Sequence, residues 1–232
     1  MTMTKSYLLS ALLFILSLGV QAQSEIKSYS LKKGQVFDII FLSTKDGTDD
    51  IQKDYFKLAF PIAEKGGYTP LNGFAIDSSL QGNYHPEVMV FGAWESIELR
   101  EKFVANIDKS VPNFHEMRRA IWSNFDLTYW EVSQDYSFDV NPEKFNVVTA
   151  YWGIDDAEFQ KFRKDWLKQV KESGGNKLIG FLKGSSPFGY EYNPDFLSIV
   201  EWESKQAFDS FNAKNKGMDH SSVKHVNQFA IQ

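Results

Sequence analysis

The chain of 232 residues contains four histidines, and two of them, His115 and His220, stand at comparable places in its two halves. Each follows a helical pattern that begins at a Trp-Glu-Ser phrase. A neutral imidazole at such a place could act as a base or ligate a metal ion. The alternative is that each histidine packs against or caps the end of a helix. His85, in a loop, and His225, in a predicted polar helix near the C-terminus, have no assigned role.

Aromatic residues make up 16% of the chain, and several of them could form the wall of a ligand pocket. Tyr151 and Trp152 are adjacent on a predicted strand, so that their rings should face opposite sides of the sheet. Such rings could hold a flat apolar molecule, or they could fill the space between two layers of the core. The candidate ligand-binding residues are Trp152, Phe211, Tyr151, Trp202, His115 and Phe103.

Other reactive groups are few. Paired aspartates at 49–50 and 155–156 could supply acid–base chemistry, but each pair stands at the first turn of a predicted helix, where carboxylates cap the free N–H groups. The absence of cysteine excludes disulfides, thiolate metal sites and a cysteine nucleophile. The sequence has no glycine loop typical of phosphate sites, no serine nucleophile motif and no spaced set of metal ligands. We therefore predict no metal site.

The net charge and residues 1–22 indicate the partners and the location of the protein. The formal net charge is −5 at pH 7, without clustering, which argues against nucleic acid and anionic membrane surfaces as partners. Residues 1–22 have the pattern of a secretory signal peptide, in which Lys5 precedes an apolar run that ends in small residues at Ala22. That run is shorter than the roughly 20 residues of a transmembrane helix. We expect an exported protein, periplasmic or secreted, without a membrane partner after cleavage.

A repeated phrase indicates a duplication. Trp94-Glu95-Ser96 recurs as Trp202-Glu203-Ser204, at an offset of 202 − 94 = 108 residues. In each copy six residues separate the serine from a phenylalanine, and further markers recur in the same order at similar offsets. Such fixed self-similarity is typical of tandem structural units.

The elements around the phrase have one order in both halves. Apolar β-branched runs and helical stripes alternate as β-α-β-β-α-β, the split βαβ arrangement of ferredoxin-like domains. We predict an α+β fold of two tandem ferredoxin-like βαββαβ units, at 34–134 and 144–232, packed sheet to sheet. The polar residues 135–143 are interpreted as the boundary between the units, and residues 23–33 as a loose lead-in.

On these residues the chain resembles the dimeric α+β barrel superfamily, over 36–132 and 146–232. The phrase that begins at Trp202 is similar to the strand-to-helix phrase of haem-degrading monooxygenases. The resemblance implies a first-strand asparagine that positions the reacting ligand and a histidine that ligates haem iron, and these fall at Asn146 and His220. It also implies a catalytic tryptophan, whose place is taken by Phe211. In the first half Ile40 stands at the asparagine position, Phe103 at the tryptophan position and His115 at the histidine position.

We expect a small-molecule-binding barrel protein, a monomer or homodimer, with a pocket for an apolar or aromatic ligand between helices and sheet and no required cofactor. One alternative is a monooxygenase of the antibiotic-biosynthesis or haem-degrading type, with haem in the latter case and with Asn146 and His220 as catalytic residues. Another is a non-catalytic oligomeric scaffold with a filled barrel interior. A cavity beside Asn146 and His220 would separate the ligand-based hypotheses from the scaffold.

Overall fold

The computed structural model describes residues 25–232, and the predicted signal peptide lies outside them. The strands are β1 (Lys27–Leu31), β2 (Val36–Thr44), β3 (Tyr68–Gln81), β4 (Val88–Trp94), β5 (Trp122–Glu131), β6 (Tyr136–Val140), β7 (Phe145–Gly153), β8 (Asn176–Leu182), β9 (Phe196–Trp202) and β10 (Val223–Ile231). The helices are α1 (Asp49–Lys65), α2 (Ile97–Ser110), α3 (Phe114–Ile121), α4 (Asp156–Glu172) and α5 (Lys205–Asn215). Among the residues from 25 onward, no helix has the length and apolar character needed to span a bilayer.

Eight strands form one antiparallel sheet in the order β5-β2-β4-β3-β10-β7-β9-β8. The first four strands of this order belong to the first unit (β2–β5 with α1–α3), and the last four to the second unit (β7–β10 with α4 and α5). Within each unit the fourth strand lies beside the first, then the third, then the second, which is the order of a ferredoxin-like βαββαβ unit. The predicted α+β fold is therefore confirmed, and one chain contains the two halves of a dimeric α+β barrel.

The two units meet along two unlike seams. At the first seam β3 pairs directly with β10, where Gln81 lies opposite Gln228 and Ile76 opposite Ile231. At the second seam β5 and β8 are bridged by residues 183–192, which we call the strap. Ser185 in the strap exchanges two backbone hydrogen bonds with Tyr129 of β5, at 2.8 and 3.0 Å. A loop of the second unit thus closes the barrel on the first.

A two-stranded ribbon of β1 and β6 covers one end of the barrel. Residues 23–33 were expected to be a loose lead-in, but they contain β1, and the segment between the units at 135–143 contains β6; alternate side chains of both strands are buried. Tyr29 lies opposite Phe138, and their rings stack with centroids 4.7 Å apart. The Tyr29 hydroxyl donates to the Asn72 carbonyl at 3.0 Å, so the ribbon is fixed to β3.

Strand alternation divides the core into an interior and an outer layer. The barrel interior is filled by side chains of both units and of the ribbon, among them Tyr29, Phe37, Phe74, Phe91, Trp130, Phe138, Ile199 and Phe229. The outer layer of the second unit lies between sheet and helices and contains Tyr151, Phe159, Phe162, Trp166, Trp202, Phe208 and Phe211. Aromatic rings fill both the barrel interior and this outer layer.

In each unit the repeated Trp-Glu-Ser phrase connects the end of a strand to the start of a helix. The Ser96 and Ser204 hydroxyls each accept a hydrogen bond at 3.3 Å from the backbone N–H three residues later. Trp94 and Trp202 are buried beneath those helices, with 4% and 1% of their surface exposed. The phrase is therefore a helix cap joined to a core residue, and Asp155 caps α4 in the same way.

A buried ion pair distinguishes the outer layer of the first unit. Arg100 Nε donates to Asp38 Oδ1 at 3.0 Å, and Trp94 Nε1 donates to Asp38 Oδ2 at 3.0 Å. The Arg100 guanidinium also lies 3.6 Å from the centre of the Tyr129 ring. Burial raises the pKa of Asp38, and the neighbouring Arg100 opposes that rise.

The second unit has apolar residues at the equivalent places. Val36 pairs with Trp94 and Phe145 with Trp202, which sets the correspondence between the units. By that register Val147 and Phe208 replace the ion pair, and both are buried. The same architecture therefore accepts a charged or an apolar contact at this point.

Candidate ligand site at the β3–β10 seam

Asn146 is a buried residue of the barrel wall. It lies opposite Ile231 of β10 and is 1% exposed. Its Nδ2 donates to the carbonyls of Asn141 at 2.8 Å and Lys144 at 3.2 Å. Among the residues from 25 onward its Oδ1 has no hydrogen-bond partner. Because Val148 and the next alternate residue face the barrel interior, Asn146 faces it too.

His220 lies in the loop before β10, near the opposite end of β7 from Asn146. It precedes β10, whose first residue, Val223, pairs with Gly153 at the end of β7. Seven residue steps of β7, at about 3.3 Å each, separate that end from Asn146. The structure therefore does not bring Asn146 and His220 together, and the groove described below borders His220 but not Asn146.

The residue of the first half that was paired with Asn146 from the sequence was also wrong, by three positions along the first strand. Counting back from glycines 47 and 153 paired Ile40 with Asn146, whereas the pairing with the tryptophans of β4 and β9 makes Phe37 the equivalent residue. The displacement arises because the first unit has extra residues in the turn after β2. Ile40 lies on the opposite face of the strand from Phe37.

Four of the aromatic candidates belong to the outer layers. Phe211 packs on Trp202 with centroids 4.7 Å apart, and Tyr151 meets Trp166 at 5.7 Å. Phe103 packs on Trp94 in the same way, at 5.0 Å. In each unit these rings pack on a neighbouring ring between helices and sheet, in the space where a ligand was expected.

His115 ties the strap to the first unit. Its Nδ1 lies 2.6 Å from the hydroxyl of Tyr190 in the strap, and its Nε2 lies 3.6 Å from Asp108 Oδ2. Burial lowers the pKa of His115, and the Asp108 carboxylate opposes this. The residue therefore makes an interdomain contact and lies apart from His220.

A groove of about 480 Å³ opens where the two units join at β3 and β10. The end of β3 forms one side, and the end of α5, the following loop and the start of β10 form the other. The residues that line it are Gln81, Gly82, Asn215, Lys216, His220, Val223, Lys224, His225 and Val226. Of the sequence-based candidates, His220 lies in this groove.

Hydrogen bonds fix the proton on each imidazole of the groove. His225 Nε2 lies 3.0 Å from Asn227 Oδ1, and an amide oxygen can only accept, so Nε2 carries the proton. His220 Nδ1 lies 2.9 Å from the Met218 carbonyl, so there Nδ1 carries the proton. In their neutral forms, His225 Nδ1 and His220 Nε2 are left as acceptors for a ligand.

His225 was expected in a polar helix, and the structure places it on β10 instead. The alternation of His225, Asn227, Phe229 and Ile231 is the strand signal that could have found it. Its ring lies 5.1 Å from that of Trp152, an aromatic candidate on the neighbouring strand β7. The pair places an indole directly behind an imidazole of the groove.

A series of hydrogen bonds and ring contacts extends from His225 into the barrel interior. Asn227 Nδ2 donates to the Tyr192 hydroxyl at 3.4 Å, and the Tyr192 ring lies 5.5 Å from that of Tyr84. The Tyr84 hydroxyl donates to Asp126 in a short hydrogen bond. Burial raises the pKa of Asp126 above that of an ordinary aspartate. Asn227, whose side chain contacts His225, thus lies among well-packed and partly polar side chains.

Because residue 82 is a glycine, the end of β3 can approach Asn227 and Val226 of β10 closely. Its φ is +95°, and a Cβ there would lie 2.4 Å from Asn227 Oδ1 and 2.5 Å from the Val226 carbonyl. Gly82→Ala is expected to lower the free energy of unfolding by about 2–5 kcal/mol, as left-handed strain and a steric clash add. Urea denaturation measures the loss, and the NMR signals of His225 should shift with it.

Gly174→Ala is the matched control for Gly82→Ala. Gly174 also has a positive φ, +86°, but no atom lies within 4 Å of its Cβ position. Its substitution is expected to cost only the strain, about 1–2 kcal/mol, and to leave the His225 signals in place. Equal losses for the two variants would contradict the close approach at Gly82.

Haem is the cofactor that the resemblance implies, and the residues present do not fit it. His220 Nε2 is available to a metal ion, but Asn146 lies at the far end of β7 and Phe211 is fully buried against Trp202. Within residues 25–232, no three or more His, Asp or Glu side chains are grouped to hold a metal ion. Asn146 and His220, the two residues that the resemblance assigns to a haem reaction, are therefore not brought together.

No protein-family model matches the chain, and no curated protein matches it. Similar solved structures include chlorite dismutase from Candidatus Nitrospira defluvii in complex with imidazole, 9% identical, with 87% of this chain and 92% of that chain covered and a TM-score of 0.49. An anthrone oxidase-like protein is 16% identical, with 88% and 94% covered and a TM-score of 0.47. A monooxygenase candidate from Lactobacillus acidophilus NCFM is 13% identical, with 86% and 94% covered and a TM-score of 0.36. The fold assignment rests on the strand order of the chain itself.

Proposed function

We propose that the protein is an exported small-molecule-binding α+β barrel whose ligand, a molecule with an apolar or aromatic part, binds in the groove at the β3–β10 seam. The observation that carries the proposal is the groove itself, whose lining combines the imidazole of His220, held through Nδ1 by the Met218 carbonyl, with the apolar side chains of Val223 and Val226. Polar side chains that converge on a groove beside apolar residues are typical of small-molecule sites. Val223 and Val226 supply the apolar part of the lining.

The position of the groove favours binding over turnover. The two imidazoles can accept hydrogen bonds from a ligand, and the polar chain behind His225 holds it in place. Among the described residues, Asn146 does not line this groove, so Asn146 and His220, the two residues named for the oxygenase alternative, do not stand together there. The proposed activity is therefore recognition of a small molecule, as a monomer or homodimer.

A titration with small aromatic compounds tests the proposal. Binding to the mature protein is expected to change the fluorescence of Trp152 and the NMR signals of His220 and His225. His220→Ala and His225→Ala should each weaken binding by about tenfold, since a hydrogen bond of about 1–1.5 kcal/mol is lost. Trp152→Phe identifies the fluorescent reporter among the six tryptophans.

His85→Ala is the matched control for this titration. His85 is exposed, and its Nδ1 contacts the Ser79 hydroxyl at 2.9 Å, outside the groove lining. Its loss should leave affinity unchanged. If no compound binds, the filled barrel interior favours the second candidate function, a non-catalytic scaffold; analytical ultracentrifugation should then find an oligomer.

Export is a separate part of the proposal and rests on the pattern of residues 1–22. Expression of the full chain in a bacterium, followed by cell fractionation and intact-mass measurement, is expected to yield a mature chain that begins at Gln23 outside the cytoplasm. A cytoplasmic protein that retains Met1 would contradict the export and leave the ligand site unaffected.

A further inference from the structure

We propose that the groove at the β3–β10 seam receives the exposed phenyl ring of Phe188 from a second copy of this chain. The contact is head-to-tail, because the strap of one copy meets the groove of another. This inference goes beyond the proposed function, since it concerns the groove as a protein-binding surface and holds whether or not a small molecule also enters it.

Phe188 is the most exposed large apolar side chain among the residues from 25 onward. It is 97% exposed, whereas the other large apolar residues at the surface are 42–67% exposed: Ile26, Leu58, Ile154 and Leu182. A phenyl ring with that exposure packs on nothing in its own chain. Aromatic side chains are also enriched at the centres of protein interfaces, where they contribute most to affinity.

A turn presents Phe188 to solvent in a fixed position. The Tyr190 N–H donates to the Pro187 carbonyl at 3.2 Å, and Gly189 within this turn has a φ of +85°. Tyr190 is itself held by the first unit, because its hydroxyl lies 2.6 Å from His115 Nδ1. Little backbone freedom is therefore lost when the ring of Phe188 is buried against a partner.

The groove offers an apolar wall for such a ring. Val223 and Val226 line it, are partly exposed and pack on the aromatic layer between helices and sheet of the second unit. The His220 ring belongs to the same wall, since it lies 5.2 Å from the Phe162 ring of that layer. The volume of about 480 Å³ falls within the roughly 300–1,000 Å³ of pockets for small ligands, which is ample for one phenyl ring.

The strap cannot fill the groove of its own chain. The groove lies at the seam between β3 and β10, and the strap lies at the seam between β5 and β8. Four strands separate the two seams in either direction around the barrel. The strap and the groove are therefore on opposite sides of the molecule. A contact between them is heterologous, and its smallest product is a dimer with one strap and one groove still free.

The charges of the two surfaces are of opposite sign. Lys216 and Lys224 line the groove and are exposed, and none of its lining residues is a carboxylate. In the strap, Glu191 is exposed, and a hydrogen bond from a backbone N–H lowers the pKa of its carboxyl group. The cation of the strap, Lys183, is paired with Asp156 at 2.9 Å. Opposite charges favour the encounter of strap and groove and make it sensitive to salt.

Sedimentation velocity of the mature protein over a range of concentrations tests the inference. The weight-average sedimentation coefficient is expected to rise with concentration, and to rise less at high salt. Phe188→Ala should weaken self-association by about tenfold or more, since it removes the inserted ring. Lys216→Glu/Lys224→Glu should weaken it too, because the charge of the groove is reversed. Leu58→Ala, which removes an exposed apolar side chain of α1, is the matched control and should leave self-association unchanged.

A mixture of the two weakened variants separates this contact from other modes of association. Phe188→Ala keeps an intact groove and the double lysine variant keeps an intact strap, so mixing them should restore a heterodimer that neither variant forms alone. Failure of the mixture to associate, with both variants folded by circular dichroism, overturns the inference. Wild-type protein that stays monomeric at every concentration, or self-association that Phe188→Ala leaves unchanged, also overturns it. None of these outcomes depends on whether a small molecule binds in the groove.

Discussion

Arg100→Phe is expected to lower the free energy of unfolding by about 3–5 kcal/mol, because it leaves a buried carboxylate without its counter-ion. Asp38 is 3% exposed, and after the substitution only the Trp94 Nε1–H remains as its partner among the contacts described. The guanidinium over Tyr129 is lost too. Urea denaturation of the mature protein measures the change from the transition midpoint at constant slope.

The second unit supplies the control for this substitution. Asp38→Val/Arg100→Phe gives the first unit the same residue types as the second, which has Val147 and Phe208 at the equivalent positions. No charge is buried at those positions of the second unit. Replacing a buried ion pair by well-packed apolar residues is often neutral, so the double variant should recover most of the loss. Two single losses that simply add in the double variant would contradict a coupled pair.

Phe138→Ala is expected to cost about 3–5 kcal/mol, as for other buried phenylalanines replaced by alanine. Phe138 is 7% exposed and stacks on Tyr29 at 4.7 Å, and its edge meets Phe37 at 6.5 Å. Its removal leaves a cavity at the barrel end that the ribbon covers. Thermal unfolding should show the loss, and binding of a hydrophobic fluorescent dye should rise.

Phe188→Ala is the control, since Phe188 in the strap is 97% exposed. Its effect on stability should lie within about 0.5 kcal/mol. A loss for Phe138→Ala as small as that would show that β1 and β6 are only loosely attached. Tyr29→Ala/Phe138→Ala should lose less than the two single variants together, because the stacked pair is counted twice in their sum.

The order of elements could be predicted from the sequence because its signals are local. The apolar strand that ends at Trp94, the cap at Ser96 and the helical stripe after it lie within a few residues, and the second copy at Trp202 repeats them. The duplication then fixed the pairing of units, since a sheet with one bare face must bury it. The strand order of the structure confirms this part.

The ribbon and the groove depended on contacts between residues far apart in the chain. Tyr29 and Phe138 are 138 − 29 = 109 residues apart, and each five-residue strand looks polar until its partner buries alternate side chains. His225 likewise has no role along the chain. It gains one because β10 crosses to β3 of the other unit and brings Asn227 against Gly82.

The sequence by itself therefore determined the repeated unit and the residues that begin each helix, because capping and strand alternation act over a few positions. Only the tertiary structure decided which side chains share a site. The resemblance assigned Asn146 and His220 to one site, yet they lie near opposite ends of β7. The groove that His220 and His225 border exists because the strand pairing at the seam, which no local pattern encodes, places the end of β3 beside the start of β10.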